Sequence, residues 1–361
     1  MRVALINLGL IAGVLLLAEL LFGAWFAGSF AHVLFHLGGT TLVHDVRPLY
    51  EGAGEAVYRR DAFGLRGTYS SPAAIDILTI GGSTTDQLYI GEGQTFQDVL
   101  ARRFAESGRP QSVVNAGVNG QTTVGHLRAM EEWFPRIPNF RARYILAYIG
   151  INDSELDDID RSSYDRGDRL GREGGLGAYI KRRSAIHLLY SIARGAAIAR
   201  HAKLGHSQGR VGGTDPATGA SLWREVPADA LPAADAALAG RLAAYRERVV
   251  ELIGRIRAAG AEAIIVTQSR ADYRVRDGHV FGRPRADGSV DLGSYAKMAA
   301  YNRMAMGACR EAGAICIDLG GELWFADGDF YDAVHNTPVG AAKIGDFLFE
   351  RLAGQLGAGP R

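Results

Sequence analysis

Four short stretches hold residue types that together could run nucleophilic chemistry on a carbonyl. In Ile80-Gly81-Gly82-Ser83-Thr84-Thr85, two glycines allow a sharp turn that presents the serine hydroxyl at an edge. A phosphate-cradling turn has the same appearance. Asn115-Ala116-Gly117-Val118-Asn119-Gly120-Gln121-Thr122 is a Gly-rich turn whose backbone N–H, free of an obstructing side chain, can approach a developing oxyanion; an ordinary strand-to-helix turn is the alternative. Gly150-Ile151-Asn152-Asp153 offers a neutral amide donor that stabilises negative charge without titrating, where the plainer reading is a turn or cap. In Asp332-Ala333-Val334-His335, the imidazole suits proton abstraction from a serine near neutral pH. A carboxylate three residues earlier can orient the ring, unless the pair is a surface His beside a turn Asp.

Positioning these groups requires a scaffold, and the apolar pattern supplies one. Strands are expected at 75–80, 112–115, 144–149, 263–267 and 314–318. Helices fall between them: one capped by Thr95 with Asp98 three residues on, one through Leu127 and Met130, one bearing the stripe Leu242, Tyr245, Val249, Leu252, Ile253 and Ile256, and one near 294–312. Thr337 and Pro338 mark the start of a last helix. Strands alternating with helices describe an α/β domain with a parallel sheet of about five strands covered on both faces. Ligands of such sheets sit beyond the carboxyl ends of the strands, and the first three stretches each follow a strand. The Asp- and Gly-rich region at about 154–227, with a helix over about 176–200, interrupts the alternation and reads as an insertion or cap. The chain divides into an anchor (1–36), a linker and lead-in (37–70) and a catalytic domain (71–358).

From Val3 to Phe22 the chain is apolar except for Asn7 and Glu19, with Phe22, Trp25 and Phe26 at the far end. That length suffices to cross a bilayer's hydrocarbon core, and aromatic residues suit the headgroup level. Arg2 before the run favours an inside N-terminus and an exported, extracytoplasmic (periplasmic) body; a signal peptide cleaved near Ala24 or Ala27 is the alternative. Glu19 within the span is costly when charged, unless it lies near the interface or pairs with another helix. The net charge of +1 gives no basis for a polyanionic partner, so nucleic acid is not expected. The chain's two cysteines, Cys309 and Cys316, read as small core residues, with a disulfide open to them in an oxidising compartment. His32 and His36 read as linker residues. His126, His187, His201, His206 and His279 are assigned structural or solvated places, and Lys181-Arg182-Arg183 a solvated or headgroup-facing one. Arg270, Tyr273 and Arg274 follow the fourth strand and could line a pocket.

Taken in order, the four stretches resemble the SGNH (GDSL-like) hydrolase family over about residues 75–352. The resemblance implies a three-layer flavodoxin-like fold, Ser83 as nucleophile and oxyanion donor, Gly120 and Asn152 as the other donors, and Asp332 with His335 completing the triad. The family's Gly-Asp-Ser is here Gly81-Gly82-Ser83, a departure at the Asp position. The implied activity is a serine esterase acting on a small ester or an acylated lipid or glycan, with no metal or organic cofactor needed. An O-acyltransferase (O-acetyltransferase) using the same site on an exported glycan is the alternative. A flavin- or phosphate-binding module would use the Gly81–Thr84 turn but leaves Asp332 and His335 without a purpose; an inactive scaffold is the remaining reading.

Overall fold

The computed structural model describes residues 2–23, 25, 38–52, 54–156 and 223–357, and between them 177, 180, 183–187, 189–190 and 193–194. Most of the expected insertion, the bulk of the helix over 176–200, and His32, His36, His201 and His206 lie outside the described residues.

The apolar N-terminal run forms helix α1 (Arg2–Phe22), and its window Leu5–Phe22 has mean hydropathy 2.3 with none of it buried against the protein. Glu19 near its end accepts hydrogen bonds from the Ala185 and Ile186 amides (3.0 and 3.1 Å), from Ser184 Oγ and from Trp25 Nε1. Its carboxylate therefore has partners, which removes much of the cost of a charge near an apolar span. The stretch expected as a linker contains a hairpin, β1 (Thr41–Asp45) paired antiparallel with β2 (Glu55–Arg59). The alternation along Glu55–Arg59 buries Ala56 and Tyr58 and exposes Glu55 and Arg59, a five-residue signal too short to stand out from a mixed region.

The central sheet follows the expected pattern. Strands β3 (Ile75–Gly81), β4 (Val113–Asn115), β5 (Ala142–Tyr148), β7 (Glu262–Val266) and β11 (Ile315–Ile317) are all parallel, in the spatial order β4-β3-β5-β7-β11. That order is flavodoxin-like: the chain leaves β3 to one side and returns to the other, opening a crevice beyond the ends of β3 and β5. Successive side chains of a strand point to opposite faces. Ile145 and Ala147 accordingly join one core with Tyr245, Val249, Leu252 and Tyr301, while Tyr144, Leu146 and Tyr148 join a second with Phe96, Leu100, Ile344 and Phe347. The helices supplying these cores are α6 (Ala239–Ala258) and α7 (Tyr295–Glu311) on one face, and α3 (Phe96–Glu106) and α9 (Pro338–Leu352) on the other. Each fully buried side chain of this size contributes about 1.5–3 kcal/mol. Thr95 and Asp98 form a reciprocal capping box at the start of α3, and the Thr337 side chain caps α9.

Short helices α2 (Ser83–Asp86), α4 (Thr123–Arg128), α5 (Ile151–Leu156) and α8 (Leu319–Glu322) lie at the carboxyl ends of strands or follow the turns there. A second, antiparallel sheet, outside the expected pattern, joins β6 (Arg224–Val226), β8 (Arg274–Arg276), β9 (His279–Pro284) and β10 (Val290–Asp291). Cys309 and Cys316 are not two separate core thiols but a disulfide. Helix α7 ends at Glu311, Gly313 turns the chain with φ +62°, and β11 returns alongside, bringing the two Cα atoms to 5.9 Å.

Candidate active site

Ser83 sits where β3 ends, the first residue of α2, on a turn with little freedom. A Cβ at Gly81 would fall 2.0 Å from Thr85 Oγ1 and 2.7 Å from the Tyr148 carbonyl, so only glycine fits between β3 and β5 there. The carbonyls of the turn are taken up by neighbours. Asn115 Nδ2 donates to Thr85 O at 2.7 Å, Gln97 Nε2 donates to the same oxygen at 3.1 Å, and Arg66 donates to Asp86 O and Gln87 O. Gln268, just past β7, donates from Nε2 to Thr84 Oγ1 (2.8 Å) and accepts from the Ile151 amide (2.7 Å), linking the turn after β3 to the turn after β5.

His335 and Asp332 reach this turn from the loop that leads into α9. The loop is pinned by Ala271 N donating to Ala333 O and Thr337 N donating to Asp329 O. Asp332 Oδ1 accepts from the amides of Val334 and His335 (2.9 and 2.7 Å), and its Oδ2 lies 2.7 Å from His335 Nδ1. His335 Nε2 lies 2.7 Å from Ser83 Oγ. A carboxylate can only accept, so Nδ1 carries the ring proton and Nε2 is left to accept from the serine hydroxyl. All three residues are buried. Burial alone would raise the Asp332 carboxyl, but the hydrogen bond and charge of His335 and the two amides outweigh it and hold the group below the usual carboxylate range. Tyr331 stacks on the His335 ring, centroids 5.6 Å apart and planes 11° from parallel.

The turns after β4 and β5 meet opposite Ser83. Asn152 Nδ2 donates to Gln121 O at 2.9 Å, and a Cβ built on Gly82 would fall 2.1 Å from the same Nδ2 and 3.3 Å from Gln121 O. The Asn152 amide therefore lies against the backbone immediately before Ser83. This gives a steric reason for glycine at position 82, since any side chain there would displace Asn152. Gly120, one residue before Gln121, has φ +71°, a conformation that favours glycine. Its turn is held by Asp153, which accepts from Thr123 N (3.2 Å) and Thr123 Oγ1 (2.6 Å); Arg248 donates to Thr123 Oγ1 at 2.8 Å. The buried His126 ring meets Gln121 Oε1 through Nδ1 at 3.0 Å, and burial lowers its pKa from 6.5 to about 3.

This architecture has a counterpart among known proteins: the GDSL-like Lipase/Acylhydrolase family matches residues 79–343. The chain belongs to that family. Solved structures similar to this family member include TesA, 12% identical over 78% of this chain and 99% of the other at a TM-score of 0.42. A lipase/acylhydrolase from Enterococcus faecalis is 15% identical, covering 80% and 100% with a TM-score of 0.41. A variant of the acetylxylan esterase Axe2 from Geobacillus stearothermophilus is 12% identical, covering 79% and 95% with a TM-score of 0.41. No curated protein matches the chain. As a GDSL-like acylhydrolase the protein is an enzyme of the hydrolase class.

Residues that sequence reasoning missed are the supports: Gln268, Arg248, Arg60 and Asp86. Gln268 carried a usable signal, being two residues beyond β7 at the ligand-binding end of the sheet. Tyr273 and Arg274, expected as possible pocket residues, are buried: Tyr273 joins a small core, and Arg274 donates to the Ala271 and Tyr273 carbonyls. Arg270 pairs with Glu155 at 2.5 Å. His279 is exposed and meets Glu225. Among the described residues, no group of three or more His, Cys, Asp or Glu side chains is placed to hold a metal ion.

Proposed function

We propose that this acylhydrolase is a serine esterase with Ser83 as nucleophile, His335 as general base and Asp332 as its orienter. The observation that carries the reading is the unbroken chain Asp332 Oδ2···Nδ1 His335 Nε2···Oγ Ser83, 2.7 Å at each step. His335 takes the hydroxyl proton as Ser83 Oγ attacks an ester carbonyl carbon. The oxyanion is met by the Ser83 and Gly120 amides and by Asn152 Nδ2. The tetrahedral intermediate collapses with the alcohol leaving, protonated by His335. Water, deprotonated by His335, then releases the carboxylic acid and restores Ser83. Each oxyanion donor is worth about 2.7–4 kcal/mol of barrier.

The substrate class in this reading is a small ester or an acylated lipid or glycan. Helix α1, apolar and with none of its window buried, serves as a single-pass anchor, with the body (71–358) on the extracytoplasmic side. The Cys309–Cys316 disulfide supports that side, because such bonds persist in oxidising compartments. The test is p-nitrophenyl acetate and butyrate turnover by the full chain beside Ser83→Ala and His335→Ala. Both variants are expected to lose activity; full activity in Ser83→Ala overturns the assignment. Product analysis with a glycan acceptor present is expected to give free acid, and acylated glycan as the main product would replace hydrolysis with O-acyl transfer.

A further inference from the structure

The family match begins at residue 79, yet the hairpin region before it reaches both halves of the candidate triad. Arg60, just past β2 and only 4% exposed, donates from Nη2 to Asp86 Oδ1 at 2.5 Å and to Gly117 O at 2.5 Å. Tyr58 Oη donates to the same Asp86 oxygen at 2.8 Å, and Arg60 also donates to Tyr58 Oη and Gly64 O. Asp86 is the last residue of α2, whose first residue is Ser83. Gly117 belongs to the turn after β4, and a Cβ on it would fall 2.4 Å from the Asp86 amide. One guanidinium thus clamps the two turns together. The hairpin also backs the base: Val46, Leu49, Tyr50 and Ala56 form one buried cluster with Tyr331, whose ring stacks on His335.

We infer that the membrane-proximal hairpin is a positioning element of the active site, with Arg60, through Asp86, setting where the turn holds Ser83. A planar five-donor guanidinium suits this place because it bridges a carboxylate, a phenol and two carbonyls at once; a lysine ammonium supplies three donors from a single point. The inference rests on the esterase reading, because Arg60 touches no reacting atom and acts only through Ser83.

The test uses the full chain in detergent, comparing wild type, Arg60→Lys and the paired variant Arg60→Met with Asp86→Leu. Removing both partners leaves no unpaired buried charge, so the paired variant is expected to fold. Circular dichroism and the sharpness of thermal unfolding check this. A misplacement of the nucleophile by about 1 Å costs about 100-fold. The paired variant should therefore lose about 100-fold in kcat for p-nitrophenyl acetate with KM within about threefold, and Arg60→Lys should recover part of the loss. The rate of Ser83 labelling by a fluorophosphonate should fall in parallel. A folded paired variant labelled as fast as wild type overturns the positioning role while leaving the esterase reading intact. A wild-type chain whose Ser83 is not labelled overturns the esterase reading, and the positioning role with it. If the paired variant does not fold, Arg60→Lys decides: unchanged kcat and labelling overturn the role, and a kcat loss without a KM change supports it.

Discussion

Replacing Gly82 with alanine adds one methyl group beside the serine and nothing elsewhere. Residue 82 has φ −84° and ψ −151°, so its backbone lies in extended space open to any residue. The new Cβ would stand 2.1 Å from Asn152 Nδ2 and 3.1 Å from its Cγ. Ordinary carbon–nitrogen contact requires well over 3 Å, so the amide must retreat by about 1 Å or more, breaking its 2.9 Å bond to Gln121 O. If Asn152 is an oxyanion donor, the retreat removes it. The expected loss is about 10²–10³ in kcat, or about 2.7–4 kcal/mol of barrier. The fold should be little affected, since the lost Asn152–Gln121 bond costs about 0.5–1.5 kcal/mol and the stiffer unfolded chain returns about 0.4–1 kcal/mol. Steady-state turnover of p-nitrophenyl butyrate by wild type, Gly82→Ala, Asn152→Ala and the double variant completes a cycle. The two single losses should be similar, and the double variant should lose little more than Asn152→Ala. A Gly82→Ala enzyme with wild-type kcat, or losses that simply add, refutes the reasoning.

Other outcomes follow from the same structure. Asp332→Asn should lower kcat by about 10⁴ through the wrong His335 tautomer, with the fold retained in circular dichroism; a loss under tenfold removes Asp332 from the triad. Burial holds His126 at a pKa of about 3 against 6.5, so the unfolded chain binds a proton that the native chain refuses. His126 therefore costs no stability above about pH 6.5. Below that, stability falls by up to about 1.4 kcal/mol per pH unit as pH drops toward 3. Denaturant melts at pH 7.0, 6.0 and 5.0 should show a shallower pH slope in His126→Asn than in wild type, and parallel slopes would contradict this. Reducing the Cys309–Cys316 bond, which closes a loop of sequence separation 7, should cost about 2 kcal/mol, read as a lower Tm in dithiothreitol. The full chain should stay in the membrane pellet through a carbonate wash, and its release would remove α1 as an anchor.

The sheet and its order of events were legible before folding because they depend on local signals. Residues 75–80 and 144–149 read as strands from short, mostly apolar runs, Thr95 and Thr337 as caps, and the alternation of elements as a parallel sheet. Such a sheet places the ends of its strands on one side, so the stretches holding Ser83, Gly120 and Asn152 group by position, while the resemblance to the SGNH family singles out those three residues within them. Asp332 and His335 were legible because a three-residue spacing lets a carboxylate reach the ring that follows it. The hairpin at residues 41–59 and the antiparallel strands around β9 were not legible. Strands of two to six residues carry little periodicity, and their pairing depends on partners elsewhere in the chain. The disulfide was decided by the turn at Gly313, which sets two Cα atoms 5.9 Å apart. The supports of the site belong wholly to the tertiary structure. Arg60 meets Asp86 across 26 positions, Gln268 meets Thr84 across 184, and His335 meets Ser83 across 252. No local pattern selects one arginine or glutamine over another at such distances. Packing selects them, because a buried carboxylate or carbonyl is tolerated only where the fold delivers a donor to it.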